Sequence, residues 1–449
     1  MAAIITDRLK LAIVDKIVTI MEDETDPTYI GFAKSEVWND SDTAPAPLNN
    51  LNDERKFRNG LQSVKKVAGV STVVPRVNWI SGTTYVGWDD QTVGYGSSSF
   101  YVLTESFGVY ICLRGGKNNL GAAVPSTVQP TGSNNDPFET ADGYVWKFLY
   151  TITEDEARKF MTASFMPTRI ISSIDSNSSG AHMRQFEIQN EADKRQITQI
   201  IVTNGGSGYT SPPTVLITGD GDSSFTALST IDSNSGTVTK IEFANDSSTL
   251  DYAQGYTNAT IRLSGGGGSG ATARAVISPR DGWGKNAKFD LKTSALCVHC
   301  RVEGNDSDFI TGQDFRQVAI LKGVQKTAND SAFTGLTGNC LKHLTLSSIT
   351  QVFSSDKLIV GTTTGAKALV DKIDSNKVFY HQNDETGFIP FLNGEQLTES
   401  NGSGVGVIDT ALISPLINPA STKLQYLNNR TPVDRTSSQN EDIKIILQI

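Results

Sequence analysis

Cysteine is scarce in this sequence. The chain has 449 residues and four cysteines, Cys112, Cys297, Cys300 and Cys340. Small secreted proteins that depend on disulfides are much richer in cysteine, so this count excludes a disulfide-stabilised scaffold. Folding in a reducing cytosol is the simpler expectation.

Long apolar runs are also lacking. No run approaches the roughly 18 apolar residues that a membrane-spanning helix needs. Residues 1–21 carry Arg8, Lys10 and Lys16 among their apolar residues, whereas a signal peptide requires an uninterrupted apolar stretch and a small-residue cleavage site. We therefore expect no membrane partner and no signal peptide.

Basic residues are in the minority. The chain has 39 Lys and Arg against 48 Asp and Glu, which gives a net charge of -9, and the acidic residues are dispersed. Nucleic-acid binding depends on Lys and Arg that displace counterions from phosphates. The charge balance therefore argues against a nucleic-acid partner.

Metal and nucleotide motifs are incomplete. Cys297 and Cys300 form a single CxxC pair, whereas a structural zinc site usually has two such pairs, and the surrounding residues 295–302 alternate like a strand. Gly265, Gly267 and Gly270 match GxGxxG by spacing, but residues 271–276 resemble a strand and the dinucleotide motif requires a helix there. We expect no metal and no other cofactor.

Acidic clusters give no firm catalytic signal either. The Asp220-Gly221-Asp222-Ser223 turn could hold a hard cation, although a solvated turn is the simpler interpretation. The pairs Asp89-Asp90 and Glu154-Asp155 could serve a glycosidase only if folding brought a second carboxylate within reach. We expect no catalytic residues and no enzymatic activity.

Glycine is abundant instead. The chain has 40 glycines and only 19% charged residues, a composition typical of many short strands joined by tight turns. The predicted fold class is α+β, predominantly antiparallel β, in a multidomain chain with sandwich-like or barrel-like β-modules and a few short helices.

Local patterns place some of these elements. Apolar spacing predicts a helix over 7–21 with Asp7 as its N-cap, and a second helix over about 51–67. Strand-forming residues dominate 144–152. Thr153 followed by Glu156 is a capping-box pattern at the start of a short helix.

Residues 194–282 form a compositionally distinct segment with two diverged copies of one unit. Each copy contains a strand, a Gly/Tyr turn, a strand, a Gly-rich turn and a strand. We predict that this segment is an inserted β-module, that 350–413 is a second, barrel-like insertion, and that 1–193 and 283–449 form one discontinuous core.

Tryptophan and arginine are candidates for contacts with other proteins, because these residues dominate interface energetics. For the five tryptophans, burial in core strands is the more common role. Pro75-Arg76 beside Trp79 combines a fixed backbone, a planar donor group and a large ring, although a buried arginine paired within the chain is an equal alternative. The interface candidates are Trp38, Arg76, Trp79, Trp146, Arg316 and Arg430.

Six segments together resemble a family of phage proteins. They are YIGFAKSEVW at 29–38, VPRVNW at 74–79, VYICL at 109–113, DGYVWKFLY at 142–150, FRQVAI at 315–320 and YLNNR at 426–430. The six segments occur in the order found in one family, and with them the chain resembles the baseplate wedge subunit of T-even-like contractile-tailed phages, the gene-eight product family. The segments extend over nearly the full length, but the two predicted insertions look like additions to the short family form.

The resemblance implies a structural role. It implies a homodimer that contacts other baseplate wedge proteins, made in the host bacterial cytoplasm and located in the virion at the tail baseplate. It implies neither catalysis nor a cofactor.

Two other functions remain open from the sequence. A carbohydrate- or receptor-binding tail protein could use Tyr209, Tyr252 and Tyr256 as stacking faces. A tail-associated glycan hydrolase would need a cleft with paired carboxylates.

Overall fold

The computed structural model describes residues 4–35, 38, 43–92, 99–192, 195–221, 226–243, 254–304, 313–436 and 438–449. These residues form mostly antiparallel β-structure in several sheets, with five α-helices among them. The predicted fold class is thereby confirmed.

The helices are α1 (Asp7–Met21), α2 (Leu51–Asn59), α3 (Glu154–Phe160), α4 (Gly180–Asn190) and α5 (Ala287–Asp290). The strands of the first half are β1 (Tyr29–Ala33), β2 (Leu61–Lys66), β3 (Gly69–Pro75), β4 (Tyr101–Leu103), β5 (Gly108–Arg114), β6 (Phe138–Glu139), β7 (Val145–Thr151), β8 (Phe165–Thr168), β9 (Ile197–Ser207), β10 (Thr214–Gly219) and β11 (Ala227–Asp232). Then come β12 (Thr237–Phe243), β13 (Ala259–Ser264), β14 (Ser269–Ile277), β15 (Ala295–Val302), β16 (Gln313–Lys322), β17 (Thr337–Asn339), β18 (Lys342–Gln351), β19 (Leu358–Gly361), β20 (Lys367–Asp374), β21 (Lys377–His381), β22 (Gln396–Glu399), β23 (Val405–Ile413), β24 (Lys423–Arg435) and β25 (Glu441–Gln448).

The chain divides into two compact units. Unit 1 contains Met1–Lys16, Ser71–Cys297 and Ile446–Ile449, and unit 2 contains Ile17–Val70 and Val298–Ile445. This division differs from the predicted one, because the predicted core of 1–193 and 283–449 contributes to both units.

Unit 1 contains a sheet in the order β4-β5-β7-β6 and the antiparallel pair β3-β8. Helix α4 lies against β7. The capping box at the start of α3 is confirmed: Thr153 accepts from the Glu156 amide, and the Glu156 carboxylate accepts from the Thr153 amide at 2.9 Å. The predicted strand over 144–152 is β7.

The rest of unit 1 contains the repeated segment. Its strands form a four-stranded sheet, β11-β12-β9-β14, and a two-stranded sheet, β10-β13. The first copy contributes β9, β10 and β11, and the second contributes β12, β13 and β14. The first strands pair with each other, the second strands pair with each other, and each third strand pairs with the first strand of the other copy.

The register of these strands follows a local pseudo-twofold axis. Ile200 in the first copy lies opposite its equivalent Ile241 in the second. Leu216 likewise lies opposite Arg262. The third strands obey the same relation, because the pair Ala227–Phe243 corresponds to the pair Ala273–Val202.

The repeated segment is not a separate globule within unit 1. Its buried residues, which include Ile200 and Ile241, belong to one apolar cluster with Val109, Leu149 and Trp283 from the rest of the unit. The two copies therefore depend on a shared core.

Unit 2 contains a five-stranded antiparallel sheet in the order β17-β2-β1-β16-β24. The central strand β1 is buried along its whole length. Its pairing with β16 sets Tyr29 opposite Leu321 and Ala33 opposite Gln317.

The predicted helix over 51–67 is wrong in its second half. Asn50 caps α2, which ends at Asn59, and residues 61–66 form β2. Gly60 makes this transition possible, because a Cβ at this position would collide with the backbone carbonyl of Lys34. The N-cap of the first helix also moves by one residue: the Thr6 hydroxyl accepts from the Leu9 amide at 3.3 Å, and Asp7 is the first helical residue.

A closed six-stranded barrel follows in unit 2, in the order β18-β21-β20-β19-β22-β23. It has its own apolar core, which includes Leu344, Ile359, Val370 and Leu397. The prediction placed a barrel-like insertion at 350–413; the barrel in the structure begins earlier, at Lys342, because β18 closes it against β23.

Candidate functional site

Trp38 and Arg430, two of the predicted interface residues, lie together in unit 2. The Trp38 indole Nε1 donates a hydrogen bond to the backbone carbonyl of Arg430 at 2.8 Å. Trp38 is half-buried and Arg430 is exposed. They lie beside a cleft of about 600 Å³ that Trp38, Pro45 and Asn429 help to line. Glu36 and Val37, from the resemblance segment at 29–38, lie outside the described residues.

Arg76 and Trp79 lie in unit 1, just after β3. The Arg76 guanidinium donates to the Asn78 side chain at 2.9 Å and to the Thr162 carbonyl at 3.2 Å. The Trp79 indole donates to the Ser126 hydroxyl at 3.1 Å. Both side chains are half-buried, so each keeps some surface on which a partner could pack.

Trp146 cannot be an interface residue in this fold. Its side chain is fully buried in unit 1 and stacks on Tyr144, with ring centroids 5.7 Å apart. A partner would find no accessible surface of this ring.

Arg316 is also unsuited to an interface, because it is only 6% exposed. Its guanidinium lies 2.7 Å from the Asp314 carboxylate and donates to the Ser35 carbonyl at 2.8 Å. Lys34 contacts the other oxygen of Asp314 at 3.0 Å. This arginine belongs to a buried ionic cluster within unit 2.

The tyrosines proposed as sugar-stacking faces are buried where the structure describes them. Tyr209 is 5% exposed and Tyr256 is 1% exposed, while Tyr252 lies outside the described residues. Gly268 lies against the Tyr209 ring, and Gly221 lies against the Tyr256 ring. The Gly-rich turn of each copy thus packs on the tyrosine of the other.

These contacts also explain the glycine spacing at 265–270. Strand β14 follows the glycines, as expected, and not the helix of a nucleotide site. Gly266 adopts a φ of +73° beside Tyr209, a conformation that favours glycine. The glycines serve the packing of the repeated segment.

The candidate acidic pairs are engaged in ion pairs. Arg274 contacts Asp89, and its other guanidinium nitrogen lies 3.2 Å from Asp90. Asp155 contacts Arg158 at 2.6 Å and Lys159 at 2.7 Å. The Asp220 side chain accepts from the backbone amides of Thr257 and Asn258; Asp222 and Ser223 lie outside the described residues.

The CxxC pair lies on β15, as the alternating pattern predicted. Cys297 and Cys300 are both fully buried, and residues three apart on a strand point to opposite faces. Within the described residues, no group of three or more His, Cys, Asp or Glu side chains could hold a metal ion.

No helix in that same part of the chain is long and apolar enough to cross a membrane.

Two buried carboxylates illustrate ionisable residues that had no sequence signal. Asp371, which is fully buried in the barrel, lies 2.7 Å from the His381 ring. Asp290 is buried at the end of α5 in unit 1. Neither lies in a motif, and only the tertiary fold removes these carboxylates from solvent.

Comparison with known proteins adds no relationship: no family model matches the chain, and no curated protein matches its sequence.

Proposed function

We propose that this protein is a structural component of a phage tail baseplate wedge, which joins neighbouring wedge proteins in a contractile tail and acts as a homodimer. Its role in this proposal is mechanical, and we assign it no catalytic residues. The interface residues we assign to it are Trp38, Arg76, Trp79 and Arg430, which keep accessible surface in the fold.

The pairing of the resembling segments is the observation that supports this proposal. Segments 29–33, 315–320 and 426–430 are far apart in sequence, yet they lie in β1, β16 and β24 and pair side by side in one sheet. Segments 109–113 and 145–150 lie in β5 and β7, which also pair directly. Segments that resemble one family in order would be expected to form such a common framework.

The carbohydrate-binding alternative loses two of its three tyrosines, and the third, Tyr252, lies outside the described residues. Aromatic stacking on a sugar requires an exposed ring face, and Tyr209 and Tyr256 have none. The hydrolase alternative is not carried further either, because Asp89, Asp90 and Asp155 lie in contact with Arg or Lys side chains.

Co-expression with the other wedge proteins of the same phage tests the proposal. We expect a tagged copy of this chain to capture at least one of them in a stoichiometric complex. Arg76→Glu should weaken the capture at least about tenfold, since interface arginines are frequent hot spots. The matched control is Arg262→Glu, which changes an exposed arginine on β13 and should leave capture unchanged.

Two results would contradict the proposal. One is the failure of every wedge protein to be captured. The other is the absence of this chain from purified tails analysed by mass spectrometry.

A further inference from the structure

Strand β24, at one end of the five-stranded sheet, has an open edge among the described residues. Strand β24 is 13 residues long and pairs with β16 on one side. In the described part of the chain no strand pairs with its other side. An open edge presents unpaired N–H and C=O groups, which form a template for a further strand. The strand at the opposite end of the sheet, β17, has only three residues.

Part of this edge lacks two side-chain features that usually protect such strands. Charged side chains and proline commonly block edge pairing, but residues 424–429 contain neither, and the first proline is Pro432. At one end, the Trp38 indole donates to the Arg430 carbonyl, and the side-chain Nδ2 of Asn429 donates to the Pro45 carbonyl at 2.9 Å. Among the described residues, no strand pairs with the outer side of segment 424–428.

A groove with both polar and apolar lining runs beside the open segment. Its volume is about 530 Å³, and its lining includes Leu48, Leu51, Leu424 and Leu427. Leu48 is 65% exposed and Leu51 is 80% exposed. An open strand edge flanked by such a groove has the geometry that binds an added strand.

We propose that this edge is where two copies of the chain meet. Residues 424–428 pair antiparallel with the same residues of a second copy, about a twofold axis near Tyr426, and Leu48 and Leu51 of each copy cover the new strand pair. The inference rests on the homodimer of the proposed function and assigns its interface.

Charge favours a second copy as the occupant. Because 424–428 carries no charge, pairing with itself places no like charges opposite each other. Glu54, the carboxylate among the described residues that line the groove, forms an ion pair with Arg58 at 2.5 Å. A twofold arrangement also buries the two exposed leucines of both copies at once, which is how symmetric dimers use one surface patch twice.

Two acidic substitutions in the groove test the assignment. The double variant Leu48→Asp with Leu51→Asp should weaken dimerisation by roughly a hundredfold or more, because each dimer then loses four buried leucines. The measurement is sedimentation equilibrium of the full chain. The matched control is Leu336→Asp with Val352→Asp, which changes two residues of unit 2 that are 68% and 72% exposed and should leave the dimer intact.

A backbone substitution tests strand pairing separately. The register with β16 steps from Leu321–Leu424 to Ile320–Tyr426, so Gln425 is an extra residue in a bulge. Proline is tolerated at bulges, and Gln425→Pro should therefore keep the fold while it disrupts the new strand pair. Hydrogen exchange should show protection of 424–428 in the wild-type dimer and loss of that protection in this variant.

The outcomes separate this inference from the proposed function. One outcome is a wild-type dimer that persists in both the double leucine variant and Gln425→Pro. In that case the interface lies elsewhere, and only this inference is overturned. If the wild type is a monomer at micromolar concentration, the homodimer itself fails. If a monomeric wild type captures a wedge protein and the leucine variant loses it, a different protein occupies the edge, and the second copy is overturned as its occupant.

Discussion

Asp290 is a fully buried carboxyl group at the end of the short helix α5. One oxygen accepts a hydrogen bond from the Gly284 amide at 2.8 Å, and the other has no hydrogen-bond partner among the described residues. Burial raises the pKa of Asp290 to about 8, although the Gly284 hydrogen bond and the Lys147 charge act in the opposite direction. The folded protein therefore holds a proton there at neutral pH that the unfolded chain, with a carboxyl pKa near 3.8, releases.

The difference in Asp290 pKa between the folded and the unfolded chain makes the stability of the protein depend on pH. Because the folded state binds more protons, the free energy of unfolding falls as the pH rises from about 4 to about 8. Asp290→Asn removes the ionisation and should stabilise the protein by roughly 2–5 kcal/mol at neutral pH, with a gain that vanishes towards pH 4. Thermal unfolding over this pH range is the measurement.

The control for that experiment lies in the same segment. Asp281 is exposed, so Asp281→Asn should change stability by less than about 0.5 kcal/mol. A pH-independent effect of Asp290→Asn would contradict the assignment of a protonated buried carboxyl.

Individual side chains were the hardest features to predict from sequence. Trp146 and Arg316 have the chemistry of interface residues, but burial gives them other roles. Arg76 and Trp79 have the same chemistry and keep accessible surface. Composition and motif do not distinguish these cases, because exposure depends on strands that are distant in sequence.

Elements were predicted better than side chains, because their signals are local. The capping box of α3 and the strand pattern of β15 depend on a few neighbouring residues and were confirmed. The helix over 51–67 was half wrong, because β2 gains its structure from pairing with β1. Strand formation at Leu61–Lys66 is a tertiary effect that local helical spacing cannot reveal.

Two buried tyrosine rings in the repeated segment should contribute about equally to the stability of unit 1. Tyr209 and Tyr256 occupy related positions, each packed against the Gly-rich turn of the other copy. Tyr209→Ala and Tyr256→Ala should each destabilise unit 1 by about 3–5 kcal/mol, as for other large buried rings. Thermal unfolding measures both effects, and Tyr209→Phe, which keeps the ring, is the control and should cost less than about 1.5 kcal/mol. A small effect of either alanine variant would contradict equivalent roles for the two rings.

The fold class was predictable from the sequence, whereas the boundaries of the two compact units follow from tertiary contacts. Abundant glycine and few charges indicated antiparallel β-structure. The unit boundaries fall within α1, β3, β15 and β25, and nothing in the composition marks a position inside a continuous helix or strand. A division based on composition and repeats therefore does not coincide with these boundaries.

The six-stranded barrel should fold without the rest of unit 2. Its closure leaves no open edge between β18 and β23, and its apolar core comes from residues of its own strands and of the loops that join them. A fragment of residues 342–413 should therefore fold alone, although a domain of this size is only marginally stable. Circular dichroism should show β-structure and a cooperative thermal transition.

A core substitution provides the control for the fragment. Ile359 is fully buried, and Ile359→Ala should cost about 2–5 kcal/mol and abolish the transition. A disordered wild-type fragment would show that the barrel depends on the remainder of unit 2.

The exchange of strands between the two copies has a consequence for how such a segment arises. Neither copy can complete its sheet alone, because β11 needs β12 and β14 needs β9. Two identical copies on separate chains would satisfy the same hydrogen bonds across a true symmetry axis. A tandem duplication can therefore join an intertwined pair of polypeptides into one without breaking any strand contact, after which each half is free to diverge.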